Sequence, residues 1–226
     1  MAKTFTEFQT LIRNWANRDS EVLSDAIVAD CMNYAVDKAY RVLRIRDFEE
    51  TVTVTAATMS ANEISYGGAT YTEIDIPTDL LEIIQIRVVD EDGGTKYVFN
   101  ERSDIRTFHD IYAEKYTNRF WCRIGSKILI SDSFDADDTD YLEIHYYGKQ
   151  GDLTDDETTH WFRDTNERVL LYGALAQCFT YLNEPDTSQM YNQMFLLEVQ
   201  ELNSDERKTN TKGGNTQVNF NGNGLI

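Results

Sequence analysis

The residues with the clearest potential for chemistry form an acidic loop, 132–140, in which five of the nine side chains are aspartate. Carboxylates at alternate positions are ligands for Ca²⁺, but a calcium loop also needs glycine at its sixth position and glutamate at its twelfth. The sixth position is Asp137 when the count begins at Asp132, and Asp140 when it begins at Asp135. Because the pattern fails in both registers, we expect a solvated turn between strands and no metal.

The histidines and cysteines lack the spacing of a catalytic or metal site. They are His109, His145, His160, Cys31, Cys122 and Cys178. The cysteines are odd in number and form no C-x-x-C pair, so we expect buried thiols in a reducing compartment. His145 lies in an alternating segment, where a packed or surface histidine is expected. Since G-x-S-x-G, P-loop and G-x-G-x-x-G motifs are also missing from the sequence, we predict no catalytic residue and no cofactor.

The overall charge argues against one class of function. The chain has 226 residues, with 21 Lys and Arg against 39 Asp and Glu, which is a net charge of −18. Such a chain repels the phosphates of nucleic acid. Its 41% of hydrophobic residues can form a core, but the longest apolar run, 169–176, is too short to span a membrane. The N-terminus has no apolar signal segment, so we expect a soluble protein made inside the cell.

Two helices are predicted at the start of the chain. Thr4 and Glu7 have the spacing of a capping box, in which each side chain satisfies a free backbone amide. An apolar stripe at helical spacing follows: Phe8, Leu11, Ile12 and Trp15. A longer helix over about 21–45 has the stripe Val28, Met32, Ala35, Ala39 and Leu43. It ends at Arg41, Arg44 and Arg46, whose charge complements the helix dipole; a nucleic-acid contact is the alternative.

From about residue 50 the hydrophobic period changes from 3.6 to 2, which is typical of strands. The predicted strands are 51–55, 64–66, 69–76, 81–89, 96–100, 119–124, 127–131 and 141–147. Glycine-containing turns between neighbouring strands predict hairpins. A short helix capped by Ser103 or Asp104 is predicted before residue 119, with the apolar residues Ile105, Phe108, Ile111 and Tyr112.

Helices resume at about residue 158. Because Trp161, Phe162 and the run 169–176 are apolar on nearly every face, we expect a central helix packed on several sides. The last helix is predicted over about 186–204, facing inward through Met190, Tyr191, Met194, Phe195, Leu197 and Leu202. The segment after it is rich in Gly and Asn and cannot form a core. We expect an extended docking tail that binds a partner through Gln217, Val218, Asn219, Phe220, Leu225 and Ile226.

These elements predict an α+β fold. Two N-terminal and two C-terminal helices form a four-helix bundle, with an inserted antiparallel β-rich module and an extended C-terminal tail. The predicted boundaries are 1–49 for the first half of the bundle, 50–150 for the inserted β-rich domain with one short helix, 151–205 for the second half of the bundle and 206–226 for the tail.

Several phrases of the sequence resemble the head-to-tail adaptor family of short-tailed phages, the group that includes tail tubular protein A and the tail accessory factors. The phrases are 76–83 (IPTDLLEI), 123–130 (RIGSKILI), 142–149 (LEIHYYGK), 152–155 (DLTD) and, after Trp161, 169–175 (VLLYGAL). The likeness covers about 5–205 in the order of elements. The family has no catalytic residues to carry over.

The resemblance implies a structural protein of the virion neck. Such adaptors form a ring of about twelve subunits beneath the portal protein, with a tail nozzle protein or tail fibres below and double-stranded DNA passing through the middle. A negative wall fits a conduit that DNA does not adsorb to. Two alternatives remain: another neck component, such as a tail terminator or completion protein, and an acidic metal- or carbohydrate-dependent enzyme supported only by the density of carboxylates.

Overall fold

The computed structural model describes residues 3–66, 69–102, 119–131, 139–155 and 159–212. The chain divides into two units, 1–47 with 150–226 and 48–149. The first is helical and the second is built on a β-sheet, so the predicted α+β class is confirmed. In the described part of the chain, no helix combines the length and hydropathy that crossing a membrane requires.

The described helices are α1 (Phe5–Ala16), α2 (Asp25–Tyr40), α3 (Ala56–Ala61), α4 (Trp161–Asp164), α5 (Glu167–Tyr181) and α6 (Pro185–Lys212), with a 3-10 turn at Arg46–Phe48. The described strands are β1 (Glu49–Thr55), β2 (Glu63–Tyr66), β3 (Ala69–Asp75), β4 (Leu80–Val89), β5 (Thr95–Glu101), β6 (Phe120–Ile124), β7 (Lys127–Ile130) and β8 (Tyr141–Gly148). The predicted helix after residue 102 lies outside the described residues, as does His109.

The first helix begins as the sequence predicts. The Glu7 N–H donates to the Thr4 hydroxyl at 3.2 Å, and the Thr4 N–H donates to the Glu7 carboxylate at 2.8 Å. This capping box satisfies two amides that the first helical turn leaves free. Phe8 and Ile12 are fully buried, but Trp15 is 49% exposed. The prediction that Trp15 lies on the buried face is therefore wrong, since Trp15 lies at the edge of the face that Phe8 and Ile12 form.

The second helix is shorter than predicted at both ends. It begins after Ser24, whose hydroxyl accepts a hydrogen bond from the Ile27 N–H, so the preceding residues form turns. Past its last residue, Tyr40, the Arg44 guanidinium donates to the Tyr40 and Leu43 carbonyls. Cationic side chains are favourable at this end of a helix, as expected. All five residues of the predicted stripe are buried: Val28, Met32, Ala35, Ala39 and Leu43.

The centre of the helical unit is α5, which packs against α1, α2, α4 and α6. A Cβ added at Gly173 would lie 2.7 Å from the Ala35 Cβ and 3.0 Å from the Phe195 ring. Only glycine allows the backbones of α2 and α5 to approach this closely. The prediction of a central helix is confirmed, although the chain breaks at Thr165 into α4 and α5.

The sheet has the strand order β1-β8-β4-β5-β6-β7-β3-β2. The three predicted hairpins are confirmed by the antiparallel pairs β2–β3, β4–β5 and β6–β7. The prediction of a purely antiparallel module is wrong for β5 and β6, which pair in parallel through Asn100–Phe120 and Glu101–Trp121. The 18 residues between these strands are long enough for the crossover that a parallel pair requires.

The sheet curls around a core that includes a helix the sequence analysis missed. Helix α3 leaves the edge strand β1, capped by the Thr55 hydroxyl, and contacts both β1 and β3. Its Ala56 and Met59 are buried in one cluster with Ile86 and Ile144. Six residues are too few to show a helical period, so local sequence does not reveal this helix.

The last helix continues through Lys212, eight residues beyond the predicted end at Ser204. The chain from Asp186 to that point contains no glycine or proline, and Glu, Arg and Lys are good helix formers. The first part of the segment predicted to be extended, 206–212, is therefore helical. The residues predicted to bind a partner, from Gln217 to Ile226, lie outside the described residues.

Candidate interaction surfaces

A polar network crosses four strands on the outer face of the sheet. The Thr51 hydroxyl is 2.8 Å from His145 Nδ1, and His145 Nε2 is 3.1 Å from Glu143 Oε2. A hydroxyl, an imidazole and a carboxylate in this order also occur in hydrolase triads. Here, however, Arg87 donates to Glu143 at 2.6–2.7 Å and to Thr95 at 3.2 Å. The network therefore joins β1, β8, β4 and β5, and His145 has the surface position expected of it.

The acidic loop contributes one described carboxylate to an ion pair. Lys96 Nζ is 2.6 Å from both oxygens of Asp140, which is buried. Residues 132–138 lie outside the described residues. Within the residues that the structure describes, no three His, Cys, Asp or Glu side chains come together as a metal site would require.

The three cysteines are buried, as predicted. Cys31 of α2 and Cys178 of α5 are hydrogen-bonded to each other, and this contact together with burial raises the pKa of Cys178. Burial raises the pKa of Cys122 to about 11. A thiol with a raised pKa is a poor nucleophile at neutral pH because little of it is ionised. Cys122 and Cys178 therefore act as small core side chains.

The last helix has apolar side chains on two faces, and only one of them is buried. Phe195 and Val199 point into the core, with 1% and 3% exposure. Met190, Met194 and Leu197, which were predicted to face inward, are 43%, 38% and 59% exposed. That prediction is wrong because α5 covers only the face of α6 that carries Phe195 and Val199. The exposed residues are spaced by four and three, so they form one stripe.

Aromatic rings continue this stripe across the helical unit. Trp15 of α1 and Tyr172 of α5 have ring centroids 6.4 Å apart, and Tyr172 lies 6.4 Å from Tyr191 of α6. Tyr191 is one turn from Met194 on the same side of α6. We call the surface formed by these residues the aromatic face: Trp15, Tyr172, Met190, Tyr191, Met194 and Leu197.

A second surface lies on the other side of α6. Lys38 of α2 reaches the Asn192 side chain of α6 beside a cavity of about 390 Å³, which we call the lysine cavity. Amide and hydroxyl groups dominate its lining: Gln177, Thr180, Asn183, Ser188, Gln189 and Asn192. Exposed apolar residues lie one helical turn away along the same helices, since Tyr34 precedes Lys38 by four residues and Leu196 follows Asn192 by four.

The two surfaces face different directions. Residues two apart on a helix point about 200° apart because a turn contains about 3.6 residues. Leu196 beside the lysine cavity and Met194 in the aromatic face are two apart on α6. The helical unit therefore presents two chemically unlike surfaces, one aromatic and one with a cationic polar cavity. Both are surfaces suited to protein contacts, since they combine exposed apolar area with hydrogen-bonding groups.

A protein with two such surfaces fits the class of structural assembly proteins. The chain belongs to the SU10 adaptor protein family, whose model matches residues 3–218. This is a family of phage head-to-tail adaptors, as the resemblance in the sequence implied. Membership makes the chain a phage structural adaptor of the virion neck that interacts with portal and tail components. No curated protein matches the chain.

Sequence reasoning missed both surfaces. Its candidate partner-binding residues are confined to the tail, whereas the described structure exposes Leu197 in the helical unit and places Lys38 beside a cavity there. One signal was present: α6 has more apolar residues than one face of a helix can bury, and their spacing defines two stripes.

Proposed function

We propose that this chain is a non-enzymatic subunit of a ring of about twelve copies, of the tail tubular protein A type, between the portal and the tail. The observation that carries the proposal is the pair of unlike surfaces on opposite sides of α6. A closed ring is built from heterologous contacts, in which one surface of a subunit binds a different surface of its neighbour. The aromatic face and the lysine cavity supply two such surfaces.

The charge of the chain supports a channel-lining role for this ring. Each subunit carries −18, so a ring wall would repel DNA phosphates and let the duplex pass without adsorbing. Weak adsorption is the property that a conduit for packaging and ejection requires.

The remaining proposals concern domains and the tail. We propose that 1–49 and 151–205 form one bundle domain, that 50–150 is an inserted domain, and that the tail docks on the portal. Phe220, Leu225 and Ile226 are its large apolar side chains, and each would contribute about 1.5–3 kcal/mol if fully buried.

Native mass spectrometry with purified portal protein tests the ring and the tail separately. The full chain is expected to give a ring on portal, and a chain ending at Lys212 is expected to keep its thermal melt but to bind portal at least tenfold more weakly. Equal binding by the truncated chain would overturn the tail proposal alone. A full chain that stays monomeric with and without portal would overturn the ring, and an image of the assembled neck would then show where the subunit docks.

A further inference from the structure

The lysine cavity is a cationic site in an acidic protein. Lys38 Nζ contacts the Asn192 side-chain oxygen and lies 5.3 Å from the centre of the Phe195 ring, and both of these partners are neutral. Within the described residues Lys38 has no carboxylate at ion-pair distance. Other lysines of the chain do have one, at 2.5–3.1 Å: Lys3 with Glu167, Lys96 with Asp140, and Lys127 with Glu73 and Asp75.

Among the described residues, the lining of the cavity adds donors but no negative charge. Thr180 and Ser188 both donate to the Ala176 carbonyl, at 2.9 and 2.8 Å, so their hydrogens are already used. The side-chain amides of Gln177 and Gln189 make no hydrogen bond within the part of the chain that the structure describes, and each has two N–H donors. An ammonium group with amide donors beside it is the set that binds a carboxylate, through short charge-assisted hydrogen bonds.

We propose that the lysine cavity binds an aspartate or glutamate side chain of a second copy of this chain. Charge complementarity identifies the occupant: a second copy carries 39 carboxylates, whereas the described lining of the cavity has one ammonium and no acid. Tyr34 and Leu196, which lie one helical turn from the cavity and are 53% and 39% exposed, suit the rest of a protein segment around that carboxylate. This inference rests on the proposed ring, and it names the group that each subunit inserts into its neighbour.

Zero-length carbodiimide coupling tests the contact directly, since it joins an amine only to a carboxylate that touches it. Rings assembled from a mixture of ¹⁵N-labelled and unlabelled wild-type chains are coupled, digested and analysed by mass spectrometry. We expect Lys38 in a mixed-isotope peptide with an Asp or Glu. Lys38 coupled only within one chain, left unreacted in the ring, or coupled to a portal peptide in rings assembled on portal would overturn the proposal, the last in favour of portal as the occupant.

A pair of matched variants measures the effect on assembly. Lys38→Met keeps the aliphatic stem and removes the charge, and Lys3→Met makes the same change in charge at a lysine whose partner lies in its own chain. We expect Lys38→Met to weaken subunit association about tenfold to a hundredfold, as for loss of one charge-assisted hydrogen bond per interface, and Lys3→Met to leave it unchanged. A wild-type ring with equal association of both variants overturns only this inference, whereas a monomeric wild type overturns the ring as well.

Discussion

The helical unit and the sheet unit differ in how much apolar side-chain surface they leave exposed. Among the described residues, nine of the thirteen large apolar side chains that are exposed belong to the helical unit, and only Ile64, Ile84, Val98 and Ile124 belong to the sheet. The sheet covers its outer face with cross-strand polar contacts, such as Arg87 with Glu143 and Thr51 with His145. The helical unit leaves apolar area that a partner can bury, so we expect its helices to carry the protein contacts.

This difference between the units follows from the different side-chain periods of strands and helices. Strand β8 alternates between buried residues, Leu142, Ile144 and Tyr146, and half-buried ones, Tyr141, Glu143, His145 and Tyr147. A period of two separates the two faces of a strand completely. Helix α6 carries apolar residues at two angular positions, and α5, which packs along it, covers only one of them. The face left over is available to another chain.

The largest effect is expected from a substitution in the core of the helical unit. Ala35 is 1% exposed where α2 meets Gly173 of α5, so Ala35→Asp buries a charge without a partner. We expect it to lower the free energy of unfolding by about 3–5 kcal/mol. Tyr34→Asp is the matched control, because Tyr34 is 53% exposed and its change should stay within about 0.5 kcal/mol. Equal melting temperatures for both variants would contradict the packing of α2 on α5.

The next effect concerns the core of the sheet unit and depends on pH. Burial, with a hydrogen bond to Asp79, raises the pKa of Tyr146 to about 12 from its ordinary value of 10.0. The folded state favours the neutral phenol, so this contribution is complete below pH 10 and is lost as pH rises toward 12. Denaturant titrations should show about 2–3 kcal/mol lost across that window.

Tyr146→Phe serves as the reference for this loss. The variant lacks the hydroxyl that donates to Asp79 at 3.1–3.2 Å, so it should be less stable than the wild type at pH 8. Its stability should then fall less between pH 10 and 12, because one ionising group has been removed. Parallel curves for the two proteins would mean that Tyr146 ionises freely in the folded state.

A smaller effect tests whether the helical unit alone carries the contacts between copies. Leu197→Asp adds a charge to the aromatic face at a side chain that is 59% exposed, so the monomer should melt as the wild type does. Ring association measured by sedimentation should weaken about thirtyfold, as at an interface residue worth about 2 kcal/mol. Ile124→Asp is the control in the sheet, with the same net charge and 37% exposure. A larger loss for Ile124→Asp would reverse the comparison of the two units.

The last prediction is that the isolated protein shows no binding to duplex DNA. With a net charge of −18, the isolated protein should not retard duplex DNA in a gel at about 0.15 M salt. Three arginines lie close in sequence after α2, namely Arg41, Arg44 and Arg46, and Arg44 already binds backbone carbonyls. Retardation that weakens steeply as salt is added would show that this group forms a nucleic-acid surface.

Local signals predicted much of the fold. The capping box at Thr4 and Glu7 and the hairpins of the sheet depend on residues close in sequence, so their spacing is sufficient to identify them. The stripe of α2 was also correct, because its alanines and Val28 lie on one face only. The pairing of β5 with β6 was not predictable in this way. Alternating residues fit a parallel and an antiparallel neighbour equally well, so the sequence pattern did not decide the direction of this pair.

The sequence by itself determined most of the segments that form helices and strands, that the cysteines are buried and that the chain is strongly acidic, because these depend on residue type and short-range spacing. Only the tertiary structure decided that Phe195 and Val199 of α6 are buried while Met194 and Leu197 are exposed, since both stripes are apolar and α5 covers one of them. It also decided that Lys38 stands beside a cavity whose described lining has no carboxylate, because Lys38 lies more than a hundred residues before the rest of the lining, which comes from α5, the turn after it and α6.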